Sequence, residues 1–567
     1  MDWQRITLLG GIAVVTFTLL FKWNAFQDEK QVLAEANLNQ SGTAILESSD
    51  NGLPQAPAAI PDPAIGSDDS LPSLPQENLT PITGSDVVSD DNRLIHVLTD
   101  TLDIYIDRRG GDIVEASLPK HTVTLDGDQA FTILDNQSFA YYVSQSGLIG
   151  PNATDKAGER PVFSTTARRY NLEDGQNELS VTLSLNQDDV IIEKVFTFKR
   201  DTYLIDVRYN IRNQSSQPWR ANFYAQIKRD DHTPSAAADS GIGVKPYVGA
   251  ATTTSEENYK EVQFSDLNKA KEEFSIQGGW VAMVQHYFVS AWVADKDSTN
   301  NFFLRKLNQQ NLYLFGFVAP QTSVDPGQSG TVGAQFYVGP KDIDKLEEIA
   351  EYLDLTIDFS FLWWIAKPLF YLLDFLHSYI GNWGWSIIAL TIIVKAIFFY
   401  PSAISYRSMA KMRKLSPKMA DLKERCGDDK QKLSKEMMAL YKKEKVNPMS
   451  GCLPIIIQMP VFISLYWVLM ESVEIRHAPF MLWIQDLSVM DPYFVFPLLM
   501  GLTMFIQQKL NPTPPDPMQA KIMQWMPIAF TFMFLWFPAG LVVYWVTNNT
   551  LSIIQQYIIT RNIEKAG

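Results

Sequence analysis

Cysteine is nearly absent: Cys426 and Cys452 are the two in a chain of 567 residues. Neither lies within residues 24–358, so that long segment has no internal disulfide and is no disulfide scaffold. No pairing of Cys with His has the spacing of a zinc site. Neither Gly-Lys-Ser nor Gly-Lys-Thr occurs, which argues against a P-loop nucleotide hydrolase. Residues 27–92 lack Phe, Trp and Tyr altogether and carry seven prolines among many Ser, Asp, Gln and Ala. Such a stretch buries too little apolar surface to offset its ordering entropy, and it is expected to be a flexible linker.

Basic residues are also scarce, 48 against 63 acidic, for a net charge of −15. The imbalance is not uniform. Residues 24–358 hold 26 basic and 49 acidic side chains, a net of −23, whereas the two ends together hold 22 and 14, a net of +8. The overall sign argues against general nucleic-acid binding but leaves room for a local basic surface.

The N-terminus carries an apolar run, Ile6–Phe21, bounded by Arg5 and Lys22 with Trp3 and Trp23 outside them. The run can span a bilayer if the tryptophans sit at the interfaces. The alternative is a cleaved signal peptide, but no small-x-small cleavage site follows. From residue 93 the pattern changes to short strands of period two. Examples are Leu102–Ile106, Glu178–Leu185, Val190–Lys199, Tyr203–Ile211, Asn222–Lys228, Trp280–Val293, Asn311–Val318 and Thr331–Val338, separated by Gly, Pro and Asn. They predict a large antiparallel sandwich over 93–340, with extra strands or two stacked sheets. Lys341–Leu355 has helical spacing. Phe361–Ile380 is apolar but interrupted by Lys367, Pro368, Asp374 and His377, so it reads as a helix lying in the interface or as the start of the next span.

Five apolar spans follow: Trp383–Ala403, Gly451–Met470, Tyr493–Leu510, Ile522–Phe537 and Leu541 to about Ile559. Several are near the lower length limit for about 30 Å of hydrocarbon, which implies tilt or local thinning. The loop 404–447 holds 13 basic and 6 acidic residues and is therefore expected on the cytoplasmic side. That choice puts residues 25–358 outside and both termini inside, a six-span arrangement. The loop itself has two helical stretches, Ser405–Arg425 and Lys430–Lys445. Gly427 suits a left-handed C′ position, and Asp428 and Asp429 supply an N-cap, with Asp428 and Gln431 fitting a capping box. Its charge suits a solvated face, or contact with anionic lipid headgroups or ribosomal RNA.

Lys395 stands out, because a lysine within a span costs about 2.5–3.5 kcal/mol on insertion scales. Snorkelling toward the cytoplasmic end is the alternative. Thr391, four residues earlier, shares its face. Gln458, Gln507, Gln508, Asn548 and Asn549 add polar groups from other spans. Singly, each amide is ordinary helix-packing glue; convergent on Lys395, they enclose a wet, positive cavity. No acidic residue lies deep in a span, so a proton relay lacks its usual carboxylates. Methionine is concentrated here too, at Met459, Met470, Met500, Met504, Met523, Met526 and Met533. Its deformable side chain suits either ordinary packing or varied apolar partners.

Several motifs resemble the bacterial YidC family of membrane protein insertases. They are Gly381-Asn382-Trp383-Gly384-Trp385-Ser386, Met409-Ala410-Lys411-Met412, Gly427-Asp428-Asp429-Lys430-Gln431, Lys445-Val446-Asn447-Pro448, Gly451-Cys452-Leu453-Pro454, Gln458-Met459-Pro460 and Leu535-Trp536-Phe537-Pro538. The resemblance is dense from about 355 to 563, and its layout extends to an N-terminal anchor and a large periplasmic domain. It implies a multi-domain protein: a polytopic α-helical bundle of six spans with a five-helix insertase core, plus an all-β periplasmic supersandwich similar to sugar mutarotases and without established enzymatic activity.

The implied layout is an anchor at 1–24, a linker at 25–92, the supersandwich at 93–340 and interfacial helices at 341–380. A core span at 381–403, a cytoplasmic hairpin at 404–447 and four further spans at 448–563 complete it. The resemblance implies insertion and folding of inner-membrane proteins, alone or beside the Sec translocon, through a hydrophilic groove open to cytoplasm and lipid. Its intramembrane positive residue falls on Lys395, with Thr391, Gln458 and Asn548 as groove polar groups. Phe462, Met500, Met533, Tyr544 and Trp545 would form the apolar slide. The implied partners are nascent membrane proteins, Sec translocon components, the ribosome and anionic phospholipids, with no cofactor and no enzymatic reaction. The chain ends at Gly567 without a long basic tail, so a tail-dependent ribosome contact is the weakest of these implications. Two other readings compete. A secondary transporter would need inverted repeats, and none is seen. A sugar-active enzyme would need a His or carboxylate constellation, and His96, His121, His232 and His286 form no recognisable motif.

Overall fold

The computed structural model describes residues 93–137, 140–155, 160–232, 246–307, 311–427, 429–444, 446, 453–511 and 517–565. The expected anchor (1–24), the expected linker (25–92) and Asp428 lie outside the described residues.

Residues 94–340 form two antiparallel sheets stacked face to face. From one edge to the other, the first runs Glu272–Gln277, Thr299–Leu307, Leu312–Val324, Trp219–Asp230, Ala140–Ile149, Ala130–Gln137, Asp112–Thr122, Asp103–Asp107, Leu94–Leu98 and Arg169–Asn171. The last pair, Leu94–Leu98 with Arg169–Asn171, is parallel. The second runs Lys260–Val262, Gly249–Thr252, Trp280–Val284, Phe288–Val293, Ser329–Pro340, Leu204–Asn213, Val190–Lys199, Glu178–Gln187 and Ser164–Thr165. Alternation builds the core. Along Val190–Lys199 every second residue is buried, as a pleated strand with one covered face requires. Trp280, Trp292, Phe223, Phe317 and Tyr337 fill the space between the sheets. A hydrogen bond of 2.5 Å between the hydroxyls of Tyr142 and Ser290 ties one sheet to the other.

One polar cluster is sealed inside this domain. Lys194, fully buried, donates to the carbonyls of Gly110, Gly111 and Ser146 at 3.0, 2.8 and 3.0 Å. Burial pushes its ammonium down to about 7. Arg160 pairs with Asp112 at 2.8 Å and approaches Asp155 at 3.4 Å. Gly147 must be glycine here, because a Cβ would lie 1.7 Å from the Asp155 carboxylate.

The sequence reads Trp280–Val293 as one strand, but the structure has two, Trp280–Val284 and Phe288–Val293, paired as a hairpin. Its turn, Gln285 to Tyr287, carries no Gly, Pro or Asn signal. A single helical turn, α1 (Phe264–Leu267), decorates the domain. The helix expected over Lys341–Leu355 is shorter: α2 (Ile343–Ile349) is capped by Asp342, and a 3₁₀ turn follows at Leu353–Thr356 after Tyr352 takes a left-handed conformation.

The remaining helices are α3 (Trp363–Ile380), α4 (Trp383–Ile397), α5 (Phe399–Cys426), α6 (Lys430–Lys443), α7 (Leu453–Glu471), α8 (Val495–Leu510), α9 (Pro517–Phe534) and α10 (Ala539–Lys565). Gly381, at φ +71°, closes α3, and Asn382 caps α4 by accepting from the Trp385 N–H. The span expected at Trp383–Ala403 is broken, with α4 and α5 meeting at 68°. Pro401 explains the position, since it lacks the N–H that would bond Ile397 and its ring crowds that carbonyl. The hairpin turn puts Gly427 at φ +53°. The N-cap falls on Asp429, whose carboxylate accepts from the Lys432 N–H at 3.0 Å, rather than on the Asp428–Gln431 box expected from the sequence.

Among the described residues no single helix is long and apolar enough to cross a membrane, and one bent pair, Trp383–Ile397 with Phe399–Leu415, meets that test jointly. Polar residues interrupt the apolar stretches. In α10 they are Asn548, Asn549, Ser552, Gln555 and Gln556.

Candidate functional site

The bundle of α4, α7, α8 and α10 brings part of the expected polar set together. The inward face of α4 repeats at helical spacing through Ile387, Leu390, Thr391, Val394 and Lys395, all buried. Lys395 is 7% exposed and donates to the Ser552 hydroxyl at 2.6 Å. Ser552 in turn donates to the Asn548 carbonyl at 2.7 Å. The Asn548 side chain donates to Gln458 of α7 at 3.4 Å. A polar line therefore crosses from α4 through α10 to α7.

Among the described residues no carboxylate pairs with Lys395. A buried ammonium bound to one neutral hydroxyl keeps its positive field uncompensated, which is costly unless something anionic approaches it.

Other expected members stand apart from this line. Thr391 is buried on the Lys395 face, but its hydroxyl donates to the Ile387 carbonyl of its own helix at 2.6 Å. Asn549 donates to Thr503 of α8 at 3.2 Å. Gln507 and Gln508 are half-buried on α8. Sequence reasoning missed Ser552 and also Tyr406, which is buried on α5. The spacing held a signal for the first, because Ser552 lies four residues after Asn548 and so shares its face.

Three of the expected apolar residues form one aromatic cluster. Phe462 of α7 meets Trp545 edge-on at 4.5 Å between centroids and lies 6.3 Å from Tyr544. Phe534 completes it, 5.3 Å from Trp545 and 6.4 Å from Phe462. Such offset and edge-on pairs add modestly to the burial they accompany. Met500 is fully buried in α8, whereas Met533 is 39% exposed on α9. Glycines let two helices approach their neighbours. A Cβ on Gly384 would lie 2.0 Å from the Phe480 ring, and one on Gly501 would lie 2.1 Å from Thr531.

Comparison with known proteins places this architecture. Residues 94–372 match the family model described as the YidC periplasmic domain, and residues 375–566 match the model described as the 60Kd inner membrane protein. A membrane protein insertase YidC from Cellvibrio japonicus is 55% identical over 100% of this chain and 99% of its own. One from Saccharophagus degradans is 52% identical over the whole of both chains. A solved structure of an active YidC insertase, with its first transmembrane domain resolved, is 18% identical with a TM-score of 0.38, covering 82% of this chain and 92% of that one. By its full-length identity to these insertases, this chain belongs to the YidC family of membrane protein insertases.

Proposed function

We propose that this insertase receives nascent membrane proteins in a positively charged groove centred on Lys395. The single observation that carries the reading is the buried ammonium of Lys395, which donates to Ser552 and has no carboxylate partner among the described residues. A substrate's short outside-destined tail, often acidic, enters beside it, and the ammonium offsets part of the tail's desolvation cost. Gln458 and Asn548 provide hydrogen bonds along the way, and Thr391, whose hydroxyl donates to its own helix, keeps its oxygen lone pairs to accept one. The apolar segment of the substrate leaves along Phe462, Tyr544, Trp545, Met500 and Met533 into lipid. Apolar burial and the membrane potential drive the transfer without a nucleotide.

The topology that fits this reading has six spans, both termini in the cytoplasm and residues 25–358 in the periplasm. Its layout is an anchor at 1–24, a linker at 25–92, the β domain at 93–340, interfacial helices at 341–380 and core spans at 381–403 and within 448–563. It is supported by the apolar outer surface of the bundle, where Ile397, Leu498, Trp525 and Phe532 are each about 60% exposed or more. The interfacial assignment of α3 is supported by its two faces: Ala366, Phe370 and Leu373 are buried, while Trp363, Trp364, Phe375 and Tyr379 are exposed. The α5–α6 hairpin carries the positive loop and suits contact with anionic phospholipid or with the ribosome, and the insertase works alone or with Sec translocon components as partners.

Reconstitution tests the function. Purified protein in liposomes should insert a short-tailed single-span client with no solute gradient added. A secondary transporter would insert none and would instead move a solute, and that outcome would overturn the reading.

A further inference from the structure

The outer end of α7 is held by the β domain through polar contacts from three separate segments, the Lys341–Glu471 pair buried and the others partly buried or exposed. Lys341, which follows the last strand, pairs with Glu471 at 2.6 Å, and the two side chains are 2% and 3% exposed. Lys341 also donates to the Thr356 carbonyl at 3.3 Å. His286, in the turn between Trp280–Val284 and Phe288–Val293, donates to the Met470 carbonyl at 2.7 Å. That carbonyl belongs to the last turn of α7, where no partner within the helix is available. Five residues past the helix, Arg476 donates to the carbonyls of Thr122 and Val123 at 2.6 and 3.2 Å. Its guanidinium lies over the rings of Phe131 and Phe288, at 5.6 and 5.8 Å.

These contacts are of a kind that fixes register. An apolar patch tolerates sliding, whereas a buried ion pair that slips leaves two uncompensated charges in a dry environment. Arg476 adds a planar fork with a defined orientation. What α7 carries is the reason that register matters. At 1.5 Å per residue, Phe462 lies about 13 Å and Gln458 about 20 Å along the helix from Glu471. The Phe462–Trp545 contact is 4.5 Å between centroids, so a slip of one helical turn, about 5.4 Å, would separate the rings.

We propose that Lys341, Glu471 and Arg476 are positioning residues of the insertase: they seat the outer end of α7 on the β domain and so fix the depth of Gln458 and Phe462 in the bundle. The consequence for insertion rests on the groove reading given above; the seating itself does not. The periplasmic domain thereby acts as a fixed platform for one wall of the groove.

The test uses the full chain in liposomes, with Cys426 and Cys452 replaced by Ser and spin labels at Asp126→Cys in the β domain and Met459→Cys on α7. Both label sites are exposed. The distance distribution should be narrow with the native seat, broaden in Lys341→Met, and narrow again in Lys341→Arg, which keeps the charge. Insertion by Lys341→Met should slow by roughly ten- to a hundredfold at equal protein level, the scale set by displacing a positioned group by about 1 Å. Arg476→Gln, at a half-buried position, should broaden the distribution too and decides the matter if Lys341→Met fails to accumulate. Unchanged distances in Arg476→Gln and in any folded Lys341→Met would overturn the seating. Broadened distances with native insertion rates would overturn the positioning role. Failure of the groove reading shows separately, as a native-like protein in which Lys395 and Phe462 never meet a client.

Discussion

Replacing Lys395 by Met separates the electrostatic part of the mechanism from folding. The ammonium donates to Ser552, and Ser552 keeps its own bond to the Asn548 carbonyl when the lysine is gone. Methionine is similar in length and removes a buried charge, so the bundle should fold at least as well. The loss falls on the client. An acidic tail at about 7 Å from the ammonium, with an effective dielectric of about 20, gains roughly 2 kcal/mol. Its removal should slow insertion of an acidic-tailed client by roughly thirtyfold. A matched client with Asn and Gln in place of the tail carboxylates should lose little. Lys395→Glu reverses the sign and should widen the gap between the two clients. The assay is protease protection of both clients in proteoliposomes of one lipid composition. Equal losses for the acidic and neutral tails would rule out an electrostatic role for the Lys395 ammonium, whatever the absolute rates.

Gly384→Ala should destabilise the bundle by about 1–3 kcal/mol, because its Cβ meets the Phe480 ring, and thermal unfolding in detergent would register it. Burial, with Lys341 and Arg476 adding to it, pushes the His286 imidazole down to about 3. Between pH 6.5 and 3 the unfolded chain then binds a proton that the folded one refuses, so stability is full above that window and falls as pH drops through it. His286→Gln should remove about 2–3 kcal/mol of the loss between pH 6.5 and 4.5, read as a smaller fall in Tm. Asp429→Ala deletes the N-cap of α6 and should cost about 1 kcal/mol of local stability, visible as faster proteolysis of the hairpin.

Legibility in the sequence followed how local the determining physics was. The strand Val190–Lys199 spans the same residues in pattern and in structure, because one buried face imposes a period of two. The hairpin turn at Gln285–Tyr287 left no local mark. His286 there is held by the Met470 carbonyl, a contact across 184 residues that no window of sequence contains. The break between α4 and α5 was legible in principle, since Pro401 sits four residues past the carbonyl it cannot serve. The capping of α6 was legible to within one residue, as adjacent aspartates offer two choices and the helix start decides between them.

At the site, the sequence singled out Lys395 because charge is rare among apolar residues, but not the hydroxyl that binds it. Ser552 is one of many serines, and only the crossing of α4 and α10 makes it a partner. The buried Lys341–Glu471 pair was equally silent: its members stand 130 residues apart, each beside other charged or polar groups. The acidic and basic halves of the charge balance were visible from the start, and they outlined the division between the β domain and the helical part.

In the proposed mechanism a client passes Lys395 with its tail and Phe462 with its apolar segment. Photo-crosslinkers placed singly at Lys395 and Phe462, against a ribosome-stalled client of increasing length, measure this directly. The tail should crosslink to position 395 at the shorter lengths and the apolar segment to position 462 at the longer ones. Crosslinks at neither position, with the same client inserted at the native rate, would contradict it.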